Sequence, residues 1–239
     1  MEWRLIDTGR CAAAYNMALD EALMLCVEEP VLRFYGWEPA AVSLGYFQSA
    51  AEMEQWRKKG YVVVRRLTGG GAIYHYRELT YCLVLPRGHK IAESTRLAYE
   101  VVHGAIVEAL RALGVPAAMR GETPQTPPHQ PFCFNRTIFC DIVADGRKIV
   151  GSAQRRTQAG FLQHGSIPIE RNPLTPEAAF VRGFAPDANY ATVRDAIVRS
   201  LIRRLRVVFR WSRPSWREQK KAAELQRTKY SAAHWTFKR

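Results

Sequence analysis

Asp145-Gly146-Arg147-Lys148-Ile149-Val150-Gly151-Ser152-Ala153-Gln154, followed by Leu162-Gln163-His164-Gly165-Ser166, is the stretch on which the reading of this chain turns. Asp145-Gly146 is a two-residue turn signal, and the flanking segments 138–144 and 148–156 are rich in β-branched and alternating apolar residues. The pattern predicts a β-hairpin. Such a hairpin brings residues distant in sequence into chemical reach, so Cys133 ahead of the first strand and Lys148 opening the second are the first candidates for a reacting pair. Pro127, Pro128 and Pro131 precede Cys133, a composition that favours an extended loop near a surface or cleft. Cys140 follows Ile138 and Phe139 within the strand pattern and is assigned to packing.

Outward from the hairpin, 239 residues with 47% hydrophobic content suffice for one large domain, 1–239, with a core at about 30–205 and a basic helical extension at about 206–239. Met1-Glu2-Trp3-Arg4 lacks an apolar signal core, and no window approaches the roughly 20 apolar residues that a bilayer span requires. The expectation is a cytoplasmic protein without membrane association. Five cysteines, at 11, 26, 82, 133 and 140, form no CxxC pair and no Cys/His zinc spacing, which argues for reduced thiols and no metal site. All but Cys133 are expected in the core. The net charge is +13, and segment 194–239 holds 14 Lys and Arg against three acidic residues, a surface suited to an acidic partner.

Strand patterns occupy 3–6, 31–35, 41–44, 61–65, 72–75, 79–85 and 207–211, and helical spacing predicts helices at 13–27, 52–59, 94–113, 175–181, 192–205 and 215–229. Segments 31–35 and 41–44 read as strands paired across Gly36-Trp37-Glu38-Pro39. Thr68-Gly69-Gly70-Gly71 follows a strand, and three glycines let the backbone approach a ligand closely. Strands mixed with helices, without regular βαβ alternation, predict an α+β fold of mixed sheets flanked by helices.

Six segments together carry a family resemblance. Asn16-Met17-Ala18-Leu19-Asp20-Glu21-Ala22-Leu23, Arg33-Phe34-Tyr35-Gly36-Trp37, Ser43-Leu44-Gly45-Tyr46-Phe47-Gln48, Arg65-Arg66-Leu67-Thr68-Gly69-Gly70, the hairpin stretch and 162–166 resemble the lipoate/biotin protein ligase superfamily. The tail, from Thr228-Lys229-Tyr230 to Trp235-Thr236-Phe237-Lys238-Arg239, resembles it too. The nearest branch is the cysteine-dependent octanoyltransferases of the LipM type. The resemblance implies that branch's catalytic-domain fold and an acyl transfer from octanoyl-acyl carrier protein to a lysine of a lipoyl domain or glycine-cleavage H protein. It also implies Cys133 as nucleophile, Lys148 as the assisting lysine, and no cofactor.

The residue chemistry is compatible with that implication. A thiolate attacks a thioester, and a nearby ammonium stabilises the thiolate or the developing oxyanion. Gly69, Gly70 and Gly71, with Arg66 and His75 nearby in sequence, are expected to line the acyl or carrier-arm site, and Ser152, His164 and Gly165 to shape the cleft. Tyr35, Leu44, Tyr46, Phe47 and Ile73 are candidates for an apolar acyl wall. Two positions depart from the branch pattern: Gly71 replaces a usual arginine and Tyr76 a usual aspartate. The first resembles the ATP- and Mg²⁺-dependent lipoate ligases, the main alternative, and an amidotransferase between lipoyl-bearing proteins is another. A nucleic-acid binder built on Arg203-Arg204-Leu205-Arg206 and 210–217 lacks any accompanying binding module, so no nucleic-acid partner is expected.

Overall fold

The computed structural model describes residues 2–49, 51, 54–121 and 140–238. In chain order the elements are β1 (Glu2–Cys11), α1 (Ala13–Leu25), β2 (Val31–Trp37), β3 (Ala41–Leu44), α2 (Glu54–Lys58), β4 (Val62–Arg65), β5 (Ile73–His75), β6 (Glu78–Pro86), α3 (Thr95–Ala112), β7 (Ala117–Met119), β8 (Ile142–Ala144), β9 (Arg147–Arg156), β10 (Gly160–Pro168), α4 (Tyr190–Leu205), β11 (Val208–Trp211), α5 (Trp216–Leu225) and α6 (Ala233–Thr236). An eight-stranded mixed sheet runs β11-β1-β2-β6-β10-β9-β8-β7, and a three-stranded sheet runs β4-β3-β5. β1 lies parallel to β2 and β11, while the strands from β2 onward in the large sheet pair antiparallel.

Period-two alternation decides which side chain faces which layer. Leu32 and Phe34 of β2, and Leu79, Tyr81, Leu83 and Leu85 of β6, join the cluster formed with α3 and α4. Their neighbours Val31, Tyr35, Cys82 and Val84 join the opposite cluster, built on α1. Both strands are therefore covered on both faces, which is why their sequences read as almost unbroken apolar runs. β1 and α1, ahead of residue 30, belong to this sheet and its helix layer, and β11 completes its edge. No described helix is long and apolar enough to cross a membrane.

The Asp145-Gly146 hairpin forms, with positive φ at both residues (47° and 72°) and antiparallel pairing of β8 with β9. Positive φ at both central positions is what a tight hairpin turn of matching twist requires. Beyond the turn the register shifts: Val143 opposes Lys148, whereas Ile142 opposes Val150. Ile149 is thus the extra residue of a β-bulge, and Ile149 and Val150 both enter the α3/α4 cluster. The bulge turns Lys148 onto the sheet face away from α3.

Three sequence expectations are corrected. β2 and β3 do not pair; β2 sits between β1 and β6, and β3 belongs to the small sheet between β4 and β5. The continuous burial of β2 reflects two covered faces, not a hairpin partner. Segment 175–181 is not a helix; Ala179 donates its N–H to the Lys148 carbonyl, and one 3₁₀ turn follows at Val181–Gly183. Cys11 and Cys26 are only half-buried, unlike Cys82 and Cys140.

The chain's end closes onto the small sheet. Fully buried Arg65 donates to the carbonyls of Gly45, Tyr46, Gln48 and Thr236, and Trp235 Nε1 donates back to the Arg65 carbonyl at 2.9 Å. Gly45 lets the Gly70 backbone come close, because a Cβ there would lie 1.8 Å from the Gly70 carbonyl oxygen.

Candidate active site

A narrow cleft opens where α1, the small sheet and the α1-facing side of the large sheet meet. Its lining includes Met17, Tyr35, Trp37 and Ile73, and the polar Ser43, Arg66, His75, Thr80, His164 and Ser166, with Gly151, Ser152, Ala153 and Gly165 alongside. The polar groups bond one another. Arg66 Nη1 donates to Ser43 Oγ at 3.1 Å, and His75 Nε2 meets that hydroxyl at 2.7 Å. His75 Nδ1 meets Glu78 Oε1 at 2.7 Å, and Thr80 and Ser166 also donate to the Glu78 carboxylate. Trp37 Nε1 donates to Thr80 Oγ1 while its ring stacks on His75 at 3.7 Å. Burial lowers the His75 pKa against the opposing charge of Glu78, so the ring is neutral, with its proton on Nδ1 toward the carboxylate. With the polar atoms committed inward, the surface offered to a ligand is largely apolar.

A second network holds His164. Its Nδ1 donates to Asp20 Oδ2 at 3.0 Å, and its Nε2 lies within hydrogen-bond distance of Thr68 Oγ1, at 2.7 Å. Asp20 also accepts from Arg33 at 2.6 Å and Tyr35 at 2.8 Å, and neither Asp20 nor Arg33 is solvent-exposed. Burial pushes the Asp20 pKa up, but the His164 hydrogen bond and the Arg33 charge outweigh it and hold the carboxyl below its ordinary value. Gly165 must be glycine, since a Cβ would meet Ser152 Oγ at 2.2 Å and the Tyr81 ring at 2.6 Å.

Behind β9 runs a directional hydrogen-bond chain. Gln154 donates to Gln163, Gln163 to Tyr81, Tyr81 to Ser152, Ser152 to His103 Nε2, and His103 Nδ1 to the Cys140 carbonyl. Only a neutral imidazole can accept at Nε2, and burial lowers the His103 pKa from 6.5 to about 4. The sign follows: above pH 6.5 the stabilisation is complete, and between 6.5 and 4 the unfolded chain takes up the proton first. Acidification across that window is expected to cost about 3 kcal/mol at this residue. Urea unfolding at pH 7.0 and 4.5 checks it, and His103→Gln is expected to lose most of this dependence.

Of the residues singled out by sequence, Arg66, His75, Ser152, His164 and Gly165 line one cleft, as do Tyr35 and Ile73. Gly69, Gly70 and Gly71 stand beside that lining; the Arg66 guanidinium takes the carbonyls of Gly69 and Gly71, each at 2.7 Å. Leu44, Tyr46 and Phe47 are not part of the lining. Lys148 lies on β9 just before Gly151, 5% exposed, with Nζ 2.9 Å from Asp141 Oδ1. Cys133 lies outside the described residues. Sequence reasoning passed over Ser43, Glu78, Thr80 and Asp20; a charged residue at a core-facing position of α1 was the available signal for Asp20.

The chain belongs to the lipoyl protein ligase A/B catalytic domain family, whose model matches residues 12–211. Within it, the octanoyltransferase LipM of Kyrpidia tusciae is 40% identical over 191 residues, covering 74% of this chain and 69% of that protein. LipM of Geobacillus kaustophilus is 34% identical, covering 99% of this chain and 98% of its own length. Among solved structures, a lipoate-protein ligase A bound with ATP superposes with a TM-score of 0.84 at 28% identity over 99% of both chains. A bi-partite lipoate protein ligase from Thermoplasma acidophilum, described with its E2 lipoyl domain, gives 0.79 at 25% identity over 99% of this chain and 96% of its own.

Proposed function

We propose that this protein is an octanoyltransferase of protein lipoylation, taking octanoate from octanoyl-acyl carrier protein and placing it on a lysine of a lipoyl domain or glycine-cleavage H protein. The observation carrying this reading is the nearly end-to-end similarity to LipM. The Cys133 thiolate attacks the donor thioester, expels the carrier thiolate, and holds the octanoyl group as a new thioester. The acceptor lysine amine then attacks that carbonyl, forms the amide, loses its proton to solvent and regenerates the thiolate. Lys148 supplies positive charge to the thiolate and to the oxyanion of each tetrahedral intermediate. The intermediate divides one encounter between two large partners into two.

The apolar lining of the cleft matches the chemistry of an acyl tail. Burying a seven-carbon tail at roughly 0.8 kcal/mol per methylene contributes on the order of 5 kcal/mol, and Met17, Tyr35, Trp37 and Ile73 offer the apolar wall. Mixing the protein with octanoyl-carrier protein, without ATP, is expected to add one octanoyl mass that hydroxylamine removes. The likeness to an ATP-bound lipoate-protein ligase A, together with Gly71, favours one second reading, an adenylating ligase. Octanoate-dependent exchange of pyrophosphate into ATP, with no protein-bound thioester, would select it.

A further inference from the structure

We propose that Asp141 is a positioning residue, anchoring the Lys148 ammonium by charge on the cleft-facing side of the sheet. The inference rests on the reading of Lys148 as the lysine that serves the acyl transfer. The two groups are almost wholly buried, with side chains 4% and 1% exposed, and approach to 2.9 Å off the direction of an aligned hydrogen bond. The contact pairs opposite charges in surroundings where an isolated buried charge is costly.

Three features fix this pair in place. The Ile149 bulge reverses the alternation, so Lys148 leaves the α3/α4 side that Val150 faces. Asp141 precedes Ile142, which enters the α3/α4 cluster, and so points to the same side as Lys148. The backbone is pinned at both partners: Arg120 N–H donates to the Asp141 carbonyl at 2.9 Å, His103 holds the carbonyl of Cys140, and Ala179 N–H donates to the Lys148 carbonyl. Displacement of a group serving the transition state by about 1 Å costs on the order of a hundredfold in rate.

The test is a double-mutant cycle on the full chain, reading kcat and KM for transfer from octanoyl-carrier protein to a lipoyl domain. Asp141→Asn is expected to lower kcat by about a hundredfold with KM unchanged. Added to Lys148→Met, it is expected to lower kcat no further, because Asp141 acts through Lys148. An equal loss in both backgrounds, or an unchanged kcat in Asp141→Asn, overturns the positioning role. Should Asp141→Asn fail to fold, the double variant, which removes both buried charges, is compared with Lys148→Met alone: equal kcat supports the proposal, and a further loss overturns it. A fully active Lys148→Met sinks the reading of Lys148 itself, whereas an impaired Lys148→Met beside a fully active Asp141→Asn sinks only the role given to Asp141.

Discussion

Cys133→Ala is expected to abolish the hydroxylamine-labile octanoyl adduct and to lower transfer to a lipoyl domain by at least about a thousandfold. Removal of the nucleophile closes the covalent route, leaving only direct attack by the acceptor amine on the carrier thioester within whatever binding remains. Intact mass spectrometry reads the adduct, and a gel-shift or mass assay of the acceptor reads the transfer. Cys140→Ala is the control: Cys140 is buried, and its replacement is expected to leave the adduct in place. An adduct that survives Cys133→Ala and vanishes in Cys140→Ala would exchange their roles.

Asp20→Ala is expected to destabilise the fold by about 3–5 kcal/mol, because it strands a guanidinium with no access to solvent. That is a large share of the roughly 5–15 kcal/mol that holds a typical domain together. The same carboxylate also takes hydrogen bonds from Tyr35 and His164, so three buried groups lose a partner at once. Urea denaturation monitored by tryptophan fluorescence measures the loss, and Asp20→Ala combined with Arg33→Leu is expected to recover part of it. A loss below about 1 kcal/mol would mean that the Arg33 carbonyl partner on Asn16 and the Thr8 hydroxyl suffice for this charge.

Local signals were the legible ones. Asp145-Gly146 specified its turn chemically, and the long amphipathic pattern of α3 gave a helix within a residue of its observed bounds, with Ser94 accepting from Leu97 N–H as its cap. The partnership of β2 was not legible, because a strand covered on both faces carries no mark of which neighbour it takes. Segment 175–181 misled by composition: its alanines and valine pack as an irregular chain against β9, and tertiary contact overrode propensity. The cleft followed the same rule. His164 and Gly165 were marked by their motif, but the carboxylate that orients the His164 ring, Asp20, comes from a helix far from it in sequence. The glycine run was read as a backbone that lets a ligand approach; the Arg66 guanidinium holds two of its carbonyls, a tie with no sign in the sequence. The Ile149 bulge was invisible too, since Lys148-Ile149-Val150 satisfies simple alternation as well as it satisfies its interruption.

The closure of the tail on Arg65 bears on how the molecule is made. During translation the small sheet and most of the large one emerge from the ribosome before 208–236 exist, so β1 waits without its parallel edge partner and Arg65 without the Thr236 carbonyl. Until those last contacts form, the nascent protein carries an open sheet edge and a buried guanidinium short of one carbonyl, and ribosome-stalled or C-terminally clipped chains share that defect. Such chains are the ones a quality-control protease would meet first.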